Sequence, residues 1–168
     1  MFTKRNYCAF AVIIFASVLI SFQLNAQTQK YESKNNNEIK SSDPWTAQQI
    51  ITTKKLDELL SVKNGNKPVV LMIGFDFLYD QGHIPGAVFA GPASKEKGLE
   101  KLKKAVKPYN KNQEIVIYCG CCPFDHCPNV RPAFKTLEEM GYKNLKVLYL
   151  PNDFEQNWKD KGYKVSAK

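Results

Sequence analysis

The chain has 168 residues, of which 43% are hydrophobic and 24% charged, and it carries a formal net charge of +8 and five cysteines. This length fits one domain with a short appendage, and the ordinary apolar content excludes a collagen, a wholly disordered chain and a polytopic membrane protein. The excess charge comes from scattered lysines without interleaved aromatic residues. It indicates a solvated surface, and we expect no nucleic-acid partner.

The first 26 residues have the pattern of a secretory signal peptide. Lys4 and Arg5 precede an apolar run over 7–22, and Ala26 supplies the small residue of a cleavage site. Because the apolar run is shorter than the ~20 residues of a membrane-spanning helix, cleavage is favoured over an uncleaved anchor. We therefore predict export to the periplasm or the extracellular space, with no membrane association after cleavage.

The rest of the chain divides into a tether and one folded domain. Residues 27–43 are polar and have no apolar period, which predicts a flexible tether. Residues 44–168 contain apolar runs typical of strands that alternate with segments of helical period. Thr53 and Ser94 are predicted to cap the first two helices.

The predicted elements alternate along the domain. In chain order they are a strand over 50–52, a helix from 54, strands over 69–73 and 87–90, a helix through 99–106, a strand over 114–118, a helix from 129 and a strand over 145–150. Strands that alternate with helices predict an α/β domain with a mostly parallel sheet. In such sheets ligands bind at the carboxyl ends of the strands, so the loop after strand 114–118 is the expected site.

All cysteines that remain after signal removal lie in that loop. They are Cys119, Cys121, Cys122 and Cys127. A thiol that faces the N-terminus of the following helix is close to free backbone N–H groups, which favour the thiolate and also bind anions. We therefore predict a reactive cysteine nucleophile at the end of this strand and an anionic substrate. Arg131 in the first turn of the helix either supplies donors for that anion or points to solvent.

Several short motifs follow one another in a particular order. They are Tyr79, the hexad Gly82-His83-Ile84-Pro85-Gly86-Ala87, Tyr118-Cys119, Met140-Gly141-Tyr142, the strand over 147–150, Trp158 and Gly162-Tyr163. Together they resemble the rhodanese-like (thiosulfate sulfurtransferase) family over about residues 45–165. The hexad is the most specific of these signals.

The resemblance implies a single-domain parallel sheet with helices on both faces and a nucleophilic cysteine directly after the fourth strand. Cys119 matches that cysteine. In the family it takes a sulfane sulfur from a donor such as thiosulfate, holds it as a persulfide and passes it to a thiol acceptor, and no cofactor is implied. The residues expected to hold the small anionic donor are Gly120, Cys121, Cys122, Asn129 and Arg131.

Two departures from the family pattern indicate a divergent branch. The loop from Cys119 onward is longer than usual and contains three further cysteines, so the donor-binding loop does not transfer by analogy. The Asp-x-Arg that usually ends the strand before the hexad is absent, and Met72-Ile73-Gly74 stands there instead.

The four loop cysteines leave other interpretations open. Cys122 and Cys127 are candidate resolving thiols for a persulfide. Cys119 and Cys122 form a Cys-x-x-Cys spacing, which suits a thiol-disulfide oxidoreductase or redox sensor. Two structural disulfides are a further alternative, but a bridge between the adjacent Cys121 and Cys122 is strained.

A soft-metal site without enzymatic activity is the remaining interpretation. The four thiols, Cys119, Cys121, Cys122 and Cys127, have ligand chemistry that suits Cu(I) or Zn(II), although their spacing is not a standard zinc pattern. His126 is near them in sequence, but we expect it to be exposed. His83 is expected to fix its loop by hydrogen bonding, since a switch or a ligand needs nearby partners.

Overall fold

A sheet of five parallel strands lies at the centre of the computed structural model, which describes residues 43–63 and 65–168. The strands are β1 (Ile50–Ile51), β2 (Val69–Met72), β3 (Val88–Phe89), β4 (Ile115–Tyr118) and β5 (Leu145–Leu148). Their order across the sheet is β1-β5-β4-β2-β3, and each pairing between neighbours is parallel. The central strand is therefore β4, and its carboxyl end lies between those of β2 and β5.

Helices cover both faces of the sheet. They are α1 (Thr53–Ser61), α2 (Asp76–Gln81), α3 (Glu96–Val106), α4 (Val130–Glu139) and α5 (Phe154–Asn157), with 3-10 turns at Ala47–Gln49, Phe124–His126 and Lys159–Lys161. One core layer contains Leu102 of α3 and Leu137 of α4, and the other contains Leu56 of α1 and Phe154 of α5. The expected α/β domain, with a parallel sheet between two helical layers, is confirmed.

The central strand is buried on both faces. Ile115 and Ile117 point into one core layer, and Val116 and Tyr118 point into the other. Burying an aliphatic side chain of this size contributes about 1.5–3 kcal/mol, so β4 is a strongly anchored element. The backbone of Cys119, which directly follows β4, is therefore held in a fixed position.

Both predicted helix caps are wrong. Helix α1 is capped by Thr52, whose side-chain oxygen accepts a hydrogen bond from the Lys55 backbone N–H at 3.2 Å. Helix α3 begins at Glu96 without a side-chain cap, and the backbone N–H of Ser94 instead donates to the Asn129 side chain. Adjacent threonines offer the same cap chemistry, and Thr52 is the one with the extended backbone conformation of an N-cap.

Two short helices were not predicted from the sequence. Helices α2 and α5 have 6 and 4 residues, which is too short to display a helical period. The predicted signal peptide (1–26) and all but Asp43 of the predicted tether lie outside the described residues. None of the helices within the described ranges has the length and apolar content needed to cross a membrane.

Candidate active site

Cys119 directly follows β4 and is held by a buried amide. Its side chain is 3% exposed. The side-chain Nδ2 of Asn129 donates to Cys119 Sγ at 3.2 Å, and Asn129 Oδ1 accepts from the Ser94 backbone N–H at 2.9 Å. The two bonds together fix which end of the Asn129 amide faces the thiol, because only the amide nitrogen is a donor. The backbone N–H of Cys121 also donates to Cys119.

A second thiol touches Cys119. The Sγ atoms of Cys119 and Cys121 are 3.2 Å apart, and Cys121 Sγ is also 3.2 Å from Cys122 Sγ. Gly120 has a φ of +79°, which reverses the chain between the first two cysteines, and a Cβ there would lie 2.8 Å from Phe154 Cβ. The partner in contact with Cys119 is therefore Cys121, and not Cys122 as the Cys-x-x-Cys spacing had suggested.

A third thiol completes what we call the thiol cluster, defined as Cys119, Cys121 and Cys127. Their Sγ atoms all lie within 4.8 Å of one another. Cys122 is outside this group, and the four loop cysteines are all free thiols. The two disulfides considered as an alternative are therefore not formed in this structure.

The negative charge of the thiol cluster is favoured on Cys127. Hydrogen bonds from the thiols of Cys119 and Cys121, with the backbone N–H groups of Asn129 and Val130, lower the pKa of Cys127 to about 3, although burial raises it. For Cys119, the hydrogen bond from Cys121 lowers the pKa, but the hydrogen bond to Cys127 and burial raise it to about 12. The backbone N–H groups at the start of α4 thus stabilise negative charge on Cys127, a role that sequence reasoning missed.

The two other loop thiols are neutral. The hydrogen bond that the Cys121 thiol makes with Cys119 is the largest cause of its raised pKa, followed by its hydrogen bond to Cys127 and burial. Burial is also the main cause of the raised pKa of Cys122. A proton must therefore leave Cys119 or Cys121 before either one attacks a substrate.

The long loop is attached to the body of the domain. Phe124 is buried, with ring centroids 5.5 Å from Trp45 and 5.1 Å from Tyr149. The backbone N–H of Phe124 donates to the Leu150 carbonyl at 3.1 Å. The aromatic contacts and the backbone bond fix the middle of the loop, so the thiols on either side of it have defined positions.

Arg131, which was predicted to assist anion binding, is paired with a carboxylate of the protein in this structure. Its Nε and Nη2 atoms lie 2.8 and 2.7 Å from Asp43 Oδ1, and its Nη1 donates to the Cys127 carbonyl at 3.5 Å. The guanidinium also lies over the Trp45 ring, 5.4 Å from its centroid. The sequence placed Arg131 in the first turn of a helix, but the direction of its side chain depends on Asp43, which is 88 positions away.

Replacing Arg131 with glutamine is expected to lower the free energy of unfolding by about 1–3 kcal/mol, because the Asp43 carboxylate, whose side chain has no exposed surface, loses its charged partner. Urea denaturation of R131Q, D43N and the double variant measures the coupling. The double variant is expected to be little less stable than either single variant. Additive losses would show that the two side chains stabilise the fold independently.

A cleft of about 230 Å³ opens next to the thiol cluster. Gly120 and Cys121 line it, whereas Cys119 does not, so Cys121 is the thiol of the cluster that faces the opening. Asp153, Glu155 and Lys159 also line it, and Lys159 Nζ is 2.8 Å from Glu155 Oε2. With two carboxylates and one paired ammonium group, this entrance is poorly suited to a doubly charged anion.

The two histidines lie where the sequence led us to expect them. His83 is buried, its Nδ1 donates to the Tyr79 carbonyl at 2.7 Å, and its ring stacks on that of Tyr79 at 3.8 Å. His126 is exposed and is not in the group of candidate metal ligands. Of the four thiols considered as ligands, three come together in the described part of the chain, and Cys122 does not join them.

The family model of the rhodanese-like domain matches residues 52–159. Solved structures with the same fold include the BH2092 protein of Bacillus halodurans, which is 18% identical with a TM-score of 0.56 and 85% of each chain covered. A rhodanese-like domain from Anabaena sp. is 19% identical, with a TM-score of 0.53 and coverage of 71% of this chain and 80% of that one. No curated protein matches. Since the family model spans more than half of the sequence, the chain belongs to the rhodanese-like domain family.

Proposed function

We propose that this protein is a sulfurtransferase that carries sulfane sulfur as a persulfide on Cys119 and resolves it with Cys121. The contact of 3.2 Å between the two Sγ atoms, at the carboxyl end of the central strand, carries this proposal. Membership of the rhodanese-like family supports the sulfur chemistry. The buried Asn129 amide supports Cys119 as the carrier, since its Nδ2 donor stabilises negative charge on the sulfur.

The first step is attack by Cys119 Sγ, whose proton moves to the Cys127 thiolate, on the outer sulfur of a donor persulfide, R–S–S⁻. The donor S–S bond breaks, the donor takes up this proton and leaves as a thiol, and Cys119 becomes a persulfide anion. In the second step Cys121 Sγ attacks Cys119 Sγ. A Cys119–Cys121 disulfide forms, hydrosulfide leaves, and the proton of the Cys121 thiol goes with the departing sulfur.

The cycle is closed by an external dithiol, which reduces the Cys119–Cys121 disulfide and is itself oxidised to a disulfide. The dithiol supplies two electrons and two protons and accepts no sulfur, which has already left as hydrosulfide. We propose that the reaction takes place after export, as the signal pattern in the first 26 residues indicates. An oxidising compartment keeps accessible thiols paired, so the reductant is then an essential partner.

The charged side chains that line the cleft limit the charge of the sulfur donor that can enter it. Asp153 and Glu155 line it, and the ammonium group of Lys159 is paired with Glu155. Arg131 is paired with Asp43 and does not offset these carboxylates. We therefore propose a singly charged alkyl persulfide as the donor in preference to the thiosulfate dianion.

A thiol-disulfide oxidoreductase is the second candidate function. The same contact of 3.2 Å favours it, because Cys119 and Cys121 need no third group to exchange with a dithiol. The two functions differ in whether sulfur from a donor appears as hydrosulfide.

Reduced protein incubated with an alkyl persulfide is expected to release hydrosulfide and to lose the mass of two hydrogen atoms as the disulfide forms. Cys119→Ser is expected to do neither, and Cys122→Ser, the matched control in the same loop, is expected to behave as the unaltered protein. Intact mass spectrometry and a hydrosulfide assay measure both quantities, with thiosulfate as a second donor. Undiminished hydrosulfide release by C119S would contradict the proposal, and a disulfide that cycles without hydrosulfide release would favour the oxidoreductase.

A further inference from the structure

We propose that the thiol cluster, Cys119, Cys121 and Cys127, is a three-coordinate binding site for Cu(I), a function that goes beyond sulfur transfer. The three Sγ atoms lie within 4.8 Å of one another, and the Cys119–Cys121 pair is 3.2 Å apart. Three sulfurs arranged in a plane around an ion at about 2.3 Å are roughly 4 Å apart. The Cys119–Cys121 separation is shorter than this value and no pair in the cluster is more than 4.8 Å apart, so small side-chain rotations complete the site.

The three thiolate ligands determine which metal ion the site favours. Thiolates are soft ligands, which favour Cu(I) among the common metal ions, and Cu(I) accepts three of them in a trigonal arrangement. Structural Zn(II) requires a fourth ligand in a tetrahedron. Within the described residues Cys122 contacts Cys121 and Cys127 but is not in the group whose three Sγ atoms all lie within 4.8 Å of one another, and His126 is exposed and also outside it.

Hydrogen-bond donors surround the proposed ligands. Asn129 Nδ2 donates to Cys119 Sγ at 3.2 Å, and the backbone N–H groups of Asn129 and Val130 donate to Cys127 Sγ. Such donors orient metal-binding sulfurs and offset the negative charge that three thiolates bring to one ion. The start of α4, which was expected to bind an anionic sulfur donor, therefore supplies hydrogen bonds to the proposed metal ligands.

Burial and access are also arranged as a metal site requires. Cys119 and Cys127 are 3% and 2% exposed, so a bound ion is shielded from water and from competing ligands. Cys121 lines the cleft and provides the route by which the ion enters. Binding breaks S–H bonds, forms Cu–S bonds and releases the protons to solvent, with no change in oxidation state.

Anaerobic titration of the reduced full chain with Cu(I), in competition with a chromogenic Cu(I) chelator, tests the proposal. We expect one equivalent to bind, with ultraviolet thiolate-to-copper charge-transfer absorption and an X-ray absorption spectrum that reports three sulfur neighbours. Cys119→Ser, Cys121→Ser and Cys127→Ser are each expected to weaken binding by more than the 10–100-fold typical for loss of an outer hydrogen-bond partner. Cys122→Ser, the matched control, is expected to retain the affinity.

The spectrum of the unaltered protein keeps the proposal testable even where a serine variant does not fold. Failure to compete with the chelator, or a first shell that does not contain three sulfurs, would overturn it. Equal weakening by Cys122→Ser would also overturn it, because the site would then have four ligands. A protein that binds Cu(I) but releases no hydrosulfide from a persulfide would retain this site and lose the proposed sulfur transfer.

Discussion

Cys121→Ser is expected to stop the reaction at a persulfide on Cys119 and to lower hydrosulfide release by about 10²-fold or more. The two Sγ atoms are 3.2 Å apart in the structure, so the resolving thiol acts at a very high effective concentration. An external thiol has to replace it in the variant and does so slowly. Intact mass after donor treatment is expected to show the gain of one sulfur atom, which a reductant removes.

The control for this prediction is Cys122→Ser, which removes a thiol from the next position in the same loop. Cys122 contacts Cys121 but not Cys119, so its loss is expected to leave hydrosulfide release unchanged. Accumulation of the persulfide in C122S and not in C121S would identify Cys122 as the resolving thiol, as the Cys-x-x-Cys spacing had suggested. A persulfide on Cys121 in C119S would reverse the two roles and contradict the proposal.

Phe124→Ala is expected to lower the free energy of unfolding by about 3–5 kcal/mol. The ring is buried between Trp45 and Tyr149, and its removal leaves a cavity beneath the loop that carries the thiols. Because Phe124 lies between Cys122 and Cys127, the variant is also expected to expose Cys127 and Cys119 to thiol reagents. Urea denaturation and the rate of thiol labelling measure the two effects.

Phe77→Ala is the matched control for this second prediction. Phe77 is 56% exposed, and truncating it is expected to change the free energy of unfolding by no more than about 0.5 kcal/mol. Labelling of the thiols in F77A is expected to match that of the unaltered protein. A Phe124→Ala variant with normal stability would show that the loop is held by its backbone bonds alone.

Most of the strands and the longer helices could be predicted from the sequence. The apolar run over 115–118 became β4, which is buried on both faces. The helical periods through 99–106 and from 129 correspond to α3 and α4. The short helices and the helix N-caps could not be predicted. Helix α5 has 4 residues, and the cap of α1 depended on which of two adjacent threonines has the extended backbone conformation.

The position of Cys119 at the end of a central strand also followed from the sequence, but its chemical partners did not. Spacing suggested Cys122, whereas the positive φ of Gly120 turns the chain so that Cys121 is in contact. Arg131 was expected beside an anion and is paired with Asp43 instead. Cys127 had been considered as a resolving thiol, a disulfide partner or a metal ligand, and the structure favours the negative charge of the cluster there.

There is a physical reason why the sequence predicted the strand and the thiol loop but not the contacts of each thiol. Apolar periodicity and turn residues act between near neighbours, so the run of residues 115–118 and the cysteines after it specify a buried strand that ends in a thiol loop. The state of each thiol depends on distances between side chains, on burial and on donors that folding brings together. Asn129 reaches Cys119 across 10 positions, and Arg131 reaches Asp43 across 88. The tertiary structure alone decides which thiols meet, which one is charged and whether three of them lie close enough to share one ion.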